Sequence, residues 1–177
     1  MIKRLILSML ARAERQFRLP GSMDYMRMIA GQSTPAFLKF SLFLPLSAHR
    51  TRVPVEVWFA ARLAATRAQD CGTCVQMVVN DALNRRVPPA LVRDVVAQRM
   101  DALPAAVADA YAFGRAVAEQ DVMADVLRER IIERHGEGGL VELSIAIASA
   151  QVFPITKRAL GMAQSCSLVA VEVPAPA

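Results

Sequence analysis

The chain is expected to fold as one all-α domain, and three observations predict it. Apolar residues recur at helical spacing over long stretches, and no stretch shows the two-residue alternation of a half-buried strand. Prolines stand where such stretches begin or end, at Pro20, Pro54, Pro88-Pro89, Pro104 and Pro154. The 177 residues are 54% apolar, enough to bury a core without disulfide staples, and three cysteines is an odd count that does not suit a secreted disulfide framework.

The elements follow in order. Residues 2–18 put Ile2, Leu5, Ile6, Met9, Leu10, Ala13 and Phe17 on one stripe, with Lys3, Arg4, Arg12, Arg15 and Arg18 mostly off it, and Pro20-Gly21 closes the helix. This amphipathic helix is expected to dock on the core or on a partner subunit, with a membrane surface as the other surface it would suit. Met23 to Ile29 predicts a short helix, and Phe37 to Leu46 another. Pro54 opens VEVWFAARLAATRAQ. Asp70 is expected to cap a helix running from Cys71 to about Arg86. PALVRDVVAQRM and LPAAVADAYAFGRAVAEQ give two more, and Asp121 is expected to cap DVMADVLRERIIERH, which His135-Gly136 ends. GLVELSIAIASAQVF is apolar almost all round, as for a helix buried on most sides, and Pro154 is expected to end or kink it before a last helix in ITKRALGMA. The chain thus divides into an N-terminal helical segment (1–53) that packs on a core (54–170), and a proline-rich tail (171–177) expected to be disordered.

Composition narrows the classes of function. Mean hydropathy is +0.31, so the apolar surplus must enter a large core, an oligomer interface or a membrane. A transmembrane segment is not expected, because the two most apolar stretches are interrupted by Glu142, Gln151 and Pro154, and by Lys39 and Pro45. The basic, apolar N-terminus has a hydrophobic run at the lower limit for a signal peptide, and a cytoplasmic location is the expectation. The net charge is +5, but the arginines are dispersed and lack aromatic interleaving, so no nucleic-acid partner is expected.

QDCGTCVQM, residues 69–77, carries the chemistry. Two cysteines three apart at a helix start are neighbours within disulfide reach, and the free N–H groups of the first turn favour a thiolate. The expected division places Cys71 at the exposed tip as the reactive thiol and Cys74 as its partner, although spacing alone leaves the two roles interchangeable. A zinc site would need four ligands, and there is no second CxxC and no paired histidines; Cys166, His49 and His135 stand isolated. Two inert core cysteines is the remaining reading.

Residues 52–86, with a helix leading into CxxC, and GEGGLVELSIAIASAQVFPITKRALG, residues 136–161, together resemble the carboxymuconolactone decarboxylase and AhpD-like alkylhydroperoxidase superfamily. The resemblance covers about two-thirds of the chain. It implies an AhpD-like helical bundle assembled as a homo-oligomer, a trimer or hexamer, and a redox-active disulfide that reduces a small hydroperoxide or disulfide. It implies no bound cofactor, since an external dithiol donates the electrons. Peroxidase members carry a histidine where this chain has Val78, a glutamate where it has Phe59, and in some cases a histidine where it has Thr73. A different acid must then protonate the leaving oxygen. Glu56 lies one helical turn before Phe59, and Asp81 lies two turns after Cys74 on the same face. Glu142 is the third candidate acid; as a carboxylate in an apolar helix it needs a partner, expected to be an arginine or the helix start near Gly139. Asp70 would oppose a thiolate at Cys71. Trp58 is expected in the core, and Cys166 as a free thiol that can reach Cys71 only if the chain folds back. The runner-up function is a catalytically degenerate member acting as an oligomeric binding module; lactone decarboxylation fits less well, because it does not depend on the cysteine pair.

Overall fold

Pro54, Pro88 and Pro104 each stand immediately before a helix, with ψ of 149°, 129° and 138°, so the fixed proline φ leads an extended residue directly into the first turn. The computed structural model describes residues 2–166 and 172–173, and every regular element in them is helical. In chain order these are α1 (Ile2–Phe17), α2 (Asp24–Gln32), α3 (Thr34–Phe40), α4 (Phe43–Ser47), α5 (Val55–Ala68), α6 (Gly72–Asn84), α7 (Pro89–Val96), α8 (Ala105–Glu119) and α9 (Met123–Ala159), with a 3-10 turn at Met100–Ala102. Apart from Glu172 and Val173, the 171–177 tail lies outside the described residues.

Helix α5 is the axis of the bundle. It packs against α6, α8 and α9, and Trp58, Phe59, Leu63 and Ala64 are buried along it. Its approach to α8 is set by Gly114. A Cβ built there would lie 2.4 Å from the carbonyl oxygen of Ala61, a backbone atom that cannot swing aside. Gly114→Ala is therefore expected to force α5 and α8 apart and to cost about 1–3 kcal/mol, read as a lower midpoint in urea unfolding.

The N-terminal helices build a second apolar cluster from Ile6, Leu10, Met23, Tyr25, Met26, Ala30 and Phe37. Only part of the α1 stripe is used. Ile6 and Leu10 are buried, while Ile2, Leu5 and Met9 remain exposed on the flank of the docked face. The single helix expected over 37–46 is two, α3 and α4. Pro45 has no N–H to give the carbonyl of Ser41, and the Ser41 hydroxyl donates back to the Phe37 carbonyl at 2.7 Å, so the chain turns between them.

Two expectations about α9 divide. Gly136 interrupts it as expected, with φ 67° and ψ 174°, the left-handed region where a side chain is strained. Asp121 stands one residue before the N-cap, which is Val122, although its carboxylate accepts the Met123 N–H at 2.9 Å. Pro154, however, does not end the helix, which continues to Ala159. The proline withholds one hydrogen bond from Ala150, but Pro154 and Lys157 are buried and α4 packs on α9, so tertiary contact holds the turn. By length and composition alone, part of α9 is apolar enough to cross a membrane; Leu143, Ala146, Ile147 and Ala150 of that part lie in the core.

Candidate functional site

The start of α6 differs by one residue from expectation, and the difference rearranges the cysteines. Asp70 is not the N-cap. It adopts φ 46°, and its carboxylate accepts from Ser165 Oγ at 3.0 Å and Cys166 N at 2.8 Å. These bonds from Cys166 and Ser165 hold its carboxyl below the ordinary range. The N-cap is Cys71 itself, extended at φ −124° and ψ 93°, and the helix begins at Gly72. Residues 164–166 fold back over this end, where the Gln164 carbonyl accepts the Gly72 N–H at 2.9 Å. Arg158 reinforces the turn by donating to the carbonyls of Gln69 and Asp70.

Cys71 and Cys74 are joined in a disulfide, with Cα atoms 5.2 Å apart. The expected exposure is corrected here. Cys71 is 0% exposed, shut in by the fold-back, whereas Cys74 is 5% exposed and borders a cavity. Cys74 is thus the sulfur on the approach side. Cys166 is a free, half-buried thiol; burial, with Asp70 beside it, pushes its pKa up.

The cavity is half-open, has a volume of about 100 Å³ and lies between the N-terminal helices and the main core. Its wall is largely apolar: Phe17, Met23, Leu44, Met77, Val78 and Phe153 contribute. Val78, where the resembled peroxidases carry a histidine, leaves that part of the wall without a proton donor. Asp81 lines the cavity two turns beyond Cys74, as the seven-residue spacing predicts. It is not a free acid, because its carboxylate accepts from Arg62 Nη1 at 2.8 Å and from Arg85 Nε at 3.0 Å. Both guanidiniums stack on Trp58, at 4.1 and 4.9 Å from the ring centroid, and Trp58 is buried as expected. Burial disfavours the Arg62 charge, and Asp81 offsets it.

The other acids lie elsewhere. Glu56 sits half-buried in the first turn of α5 and is not among the residues around the cavity. Glu142 is 2% exposed, but it serves the backbone rather than an arginine or its own helix start. Its Oε2 accepts from Thr51 N (2.6 Å), Thr51 Oγ1 (2.9 Å) and Arg52 N (2.8 Å), and its Oε1 from Val53 N (3.1 Å). Burial alone would raise its pKa, but these hydrogen bonds outweigh burial and hold it below the ordinary value. Glu142 is a latch on the segment that leads into α5. His49 is exposed, and His135 is half-buried with its pKa lowered by burial and by Arg134; neither borders the cavity.

Two groups at the site were not anticipated. Lys157 is 4% exposed on the cavity wall, with Nζ 5.1 Å from the centroid of the Tyr25 ring. Burial pushes its pKa down to about 8, against the pull of Asp24. Its ammonium donates to Thr73 Oγ1 at 3.3 Å, and Thr73 Oγ1 lies 3.6 Å from Cys71 Sγ. In the sequence Lys157 has no assigned role, since one lysine in the expected last helix ITKRALGMA carries no pattern of its own. No group of three or more metal-ligating side chains occurs among the described residues. No protein-family model, curated protein or solved structure matches this chain.

Proposed function

We propose that the chain is a thiol–disulfide redox enzyme of the AhpD-like kind, in which Cys71 and Cys74 alternate between dithiol and disulfide. The observation that carries this reading is the Cys71–Cys74 bond at the start of α6, with Cys74 on the wall of a half-open cavity. In the reduced state the Cys74 thiolate attacks the terminal oxygen of a hydroperoxide, the O–O bond breaks and the alkoxide takes a proton to leave as alcohol. The resulting sulfenic acid on Cys74 condenses with the Cys71 thiol, releasing water and forming the disulfide. Two electrons and two protons from an external dithiol then restore the pair. The apolar wall supports a substrate with an organic body, and a low-molecular-weight disulfide would enter by the same route.

Exposed Ile2, Leu5 and Met9 on α1, with Leu38, Leu42 and Leu44 on α3, α4 and the turn between them, support a homo-oligomer in which a second copy covers this apolar surface. The trimer or hexamer of the resembled family is the state we propose, in the cytoplasm.

Equilibration of the pair against graded glutathione or dithiothreitol buffers tests the redox reading. The expected potential lies at roughly −270 to −120 mV, the span of cellular dithiol proteins. A pair that stays reduced under mild oxidant, or that no dithiol opens, refutes redox work and leaves the binding module, which the replacement of the family's histidine by Val78 favours.

A further inference from the structure

Reduction of the disulfide requires a thiolate to leave. When an external thiolate attacks Cys74 from the cavity, the Cys74–external sulfur bond forms, the Cys71–Cys74 bond breaks and Cys71 takes the electron pair. The leaving sulfur then belongs to a fully buried residue that is not among those lining the cavity. Water cannot reach it there to supply a proton, so that proton must come through protein groups.

The described contacts at Cys71 lead one way. Lys157 Nζ donates to Thr73 Oγ1 at 3.3 Å. A protonated amine offers only donors, so the threonine oxygen must accept from it, and the Thr73 hydroxyl hydrogen is left to point elsewhere. Cys71 Sγ lies 3.6 Å from that hydroxyl, within reach for a sulfur acceptor. The chain of donors therefore has a single sense, from ammonium to hydroxyl to sulfur. We infer that Lys157 and Thr73 form a proton relay to Cys71, with Thr73 touching the departing sulfur and Lys157 acting through it. The inference rests on the redox reading above.

The step balances. External thiolate, disulfide and lysine ammonium go in; mixed disulfide on Cys74, Cys71 thiol and neutral lysine amine come out. A second external thiolate then resolves the mixed disulfide, and the protonated amine is restored from solvent through the half-open cavity. The groups facing Lys157 set when the relay is charged. Asp24 and Tyr25 come from α2, Arg62 from α5, and Cys74 and Asp81 from α6. Asp24 favours the ammonium, and Asp81 is neutralised by its two arginines. Tyr25 is buried with its pKa raised, so it stays neutral and offers its ring face to the cation. Burial dominates and brings the amine's pKa to about 8, where it can both give and regain a proton near neutral pH.

The test is the rate at which dithiothreitol opens the disulfide in the full-length oxidised chain, sampled by acid quench, alkylation and a mass count of new thiols. Comparing variant with wild type at each pH cancels the reductant's own ionisation. Lys157→Met is expected to be slowed about 100-fold at pH 6.5, and the deficit should shrink towards nothing by pH 9.5, where the wild-type amine has also lost its proton. Thr73→Val is expected to be slowed comparably, and Thr73→Ser, which keeps the hydroxyl, to stay within about threefold of wild type. If Lys157→Met does not fold by circular dichroism, the threonine pair decides alone. A wild-type disulfide that dithiothreitol cannot open overturns the redox function and the relay with it. A wild-type disulfide that opens, alongside Lys157→Met and Thr73→Val that open equally fast with the same pH profile, overturns the relay alone.

Discussion

Cys74→Ser is expected to lower turnover of an organic hydroperoxide such as cumene hydroperoxide, with dithiothreitol as donor, by at least about 10³-fold. Cys74 is the sulfur on the cavity wall, so its loss removes the only thiol of the pair that a substrate can approach. Cys71→Ser is expected to behave differently. The Cys74 thiolate still attacks once, but no thiol stands three residues away to resolve the sulfenic acid. With dithiothreitol left out, since it would itself reduce the sulfenic acid, a single turnover should follow, with a sulfenic acid that a nucleophilic trap labels and mass spectrometry places on Cys74. The reverse result, a trapped sulfenic acid on Cys71 in the Cys74→Ser chain, would assign attack to the buried sulfur and contradict the approach route. Multiple turnovers in both variants would remove the pair from the chemistry altogether.

Glu142→Ala is expected to be the most destabilising single substitution away from the cysteines, at about 3–5 kcal/mol. The carboxylate collects three backbone N–H groups and one hydroxyl from Thr51, Arg52 and Val53, and alanine leaves these donors facing a hole. For a chain of this length the loss corresponds to a fall in melting temperature of roughly 10 °C. The effect should depend on pH in a defined direction. The folded-state pKa of Glu142 is held below its ordinary value of about 4.5, so the latch contributes fully above that pH. As the pH falls through the lower, folded-state value the carboxylate protonates, and its contribution is lost. Thermal unfolding of wild type and variant should therefore differ most near neutrality and converge in acid. A difference that is constant from pH 7 to pH 3 would mean that packing, not the charge-assisted hydrogen bonds, is what Glu142 supplies.

Much of the site could be read before any coordinates. The spacing of Cys71 and Cys74 places two sulfurs within bonding distance, and the seven residues from Cys74 to Asp81 place both on one wall. Those are local facts, fixed by the geometry of one helix. The roles of the two sulfurs were not local. They turn on where α6 begins, and that depends on Asp70 finding Ser165 and Cys166, nearly a hundred residues away, instead of capping the helix. Glu142 shows the same limit. Its need for a partner was evident from an acid in an apolar helix, but the partner is a stretch of backbone some ninety positions earlier. Lys157 left no pattern at all, because a lysine near a helix end is ordinary until the fold buries it.

Periodicity and proline placement by themselves determined that the chain is helical, where most of its helices start, and that two cysteines would meet. Tertiary structure alone decided which sulfur faces the cavity, which acid is a latch and which amine stands behind Thr73. The physical reason is that helical geometry is set by bonds between residues at most a few positions apart, whereas burial, proton affinity and access are set by whichever distant surfaces close over a group.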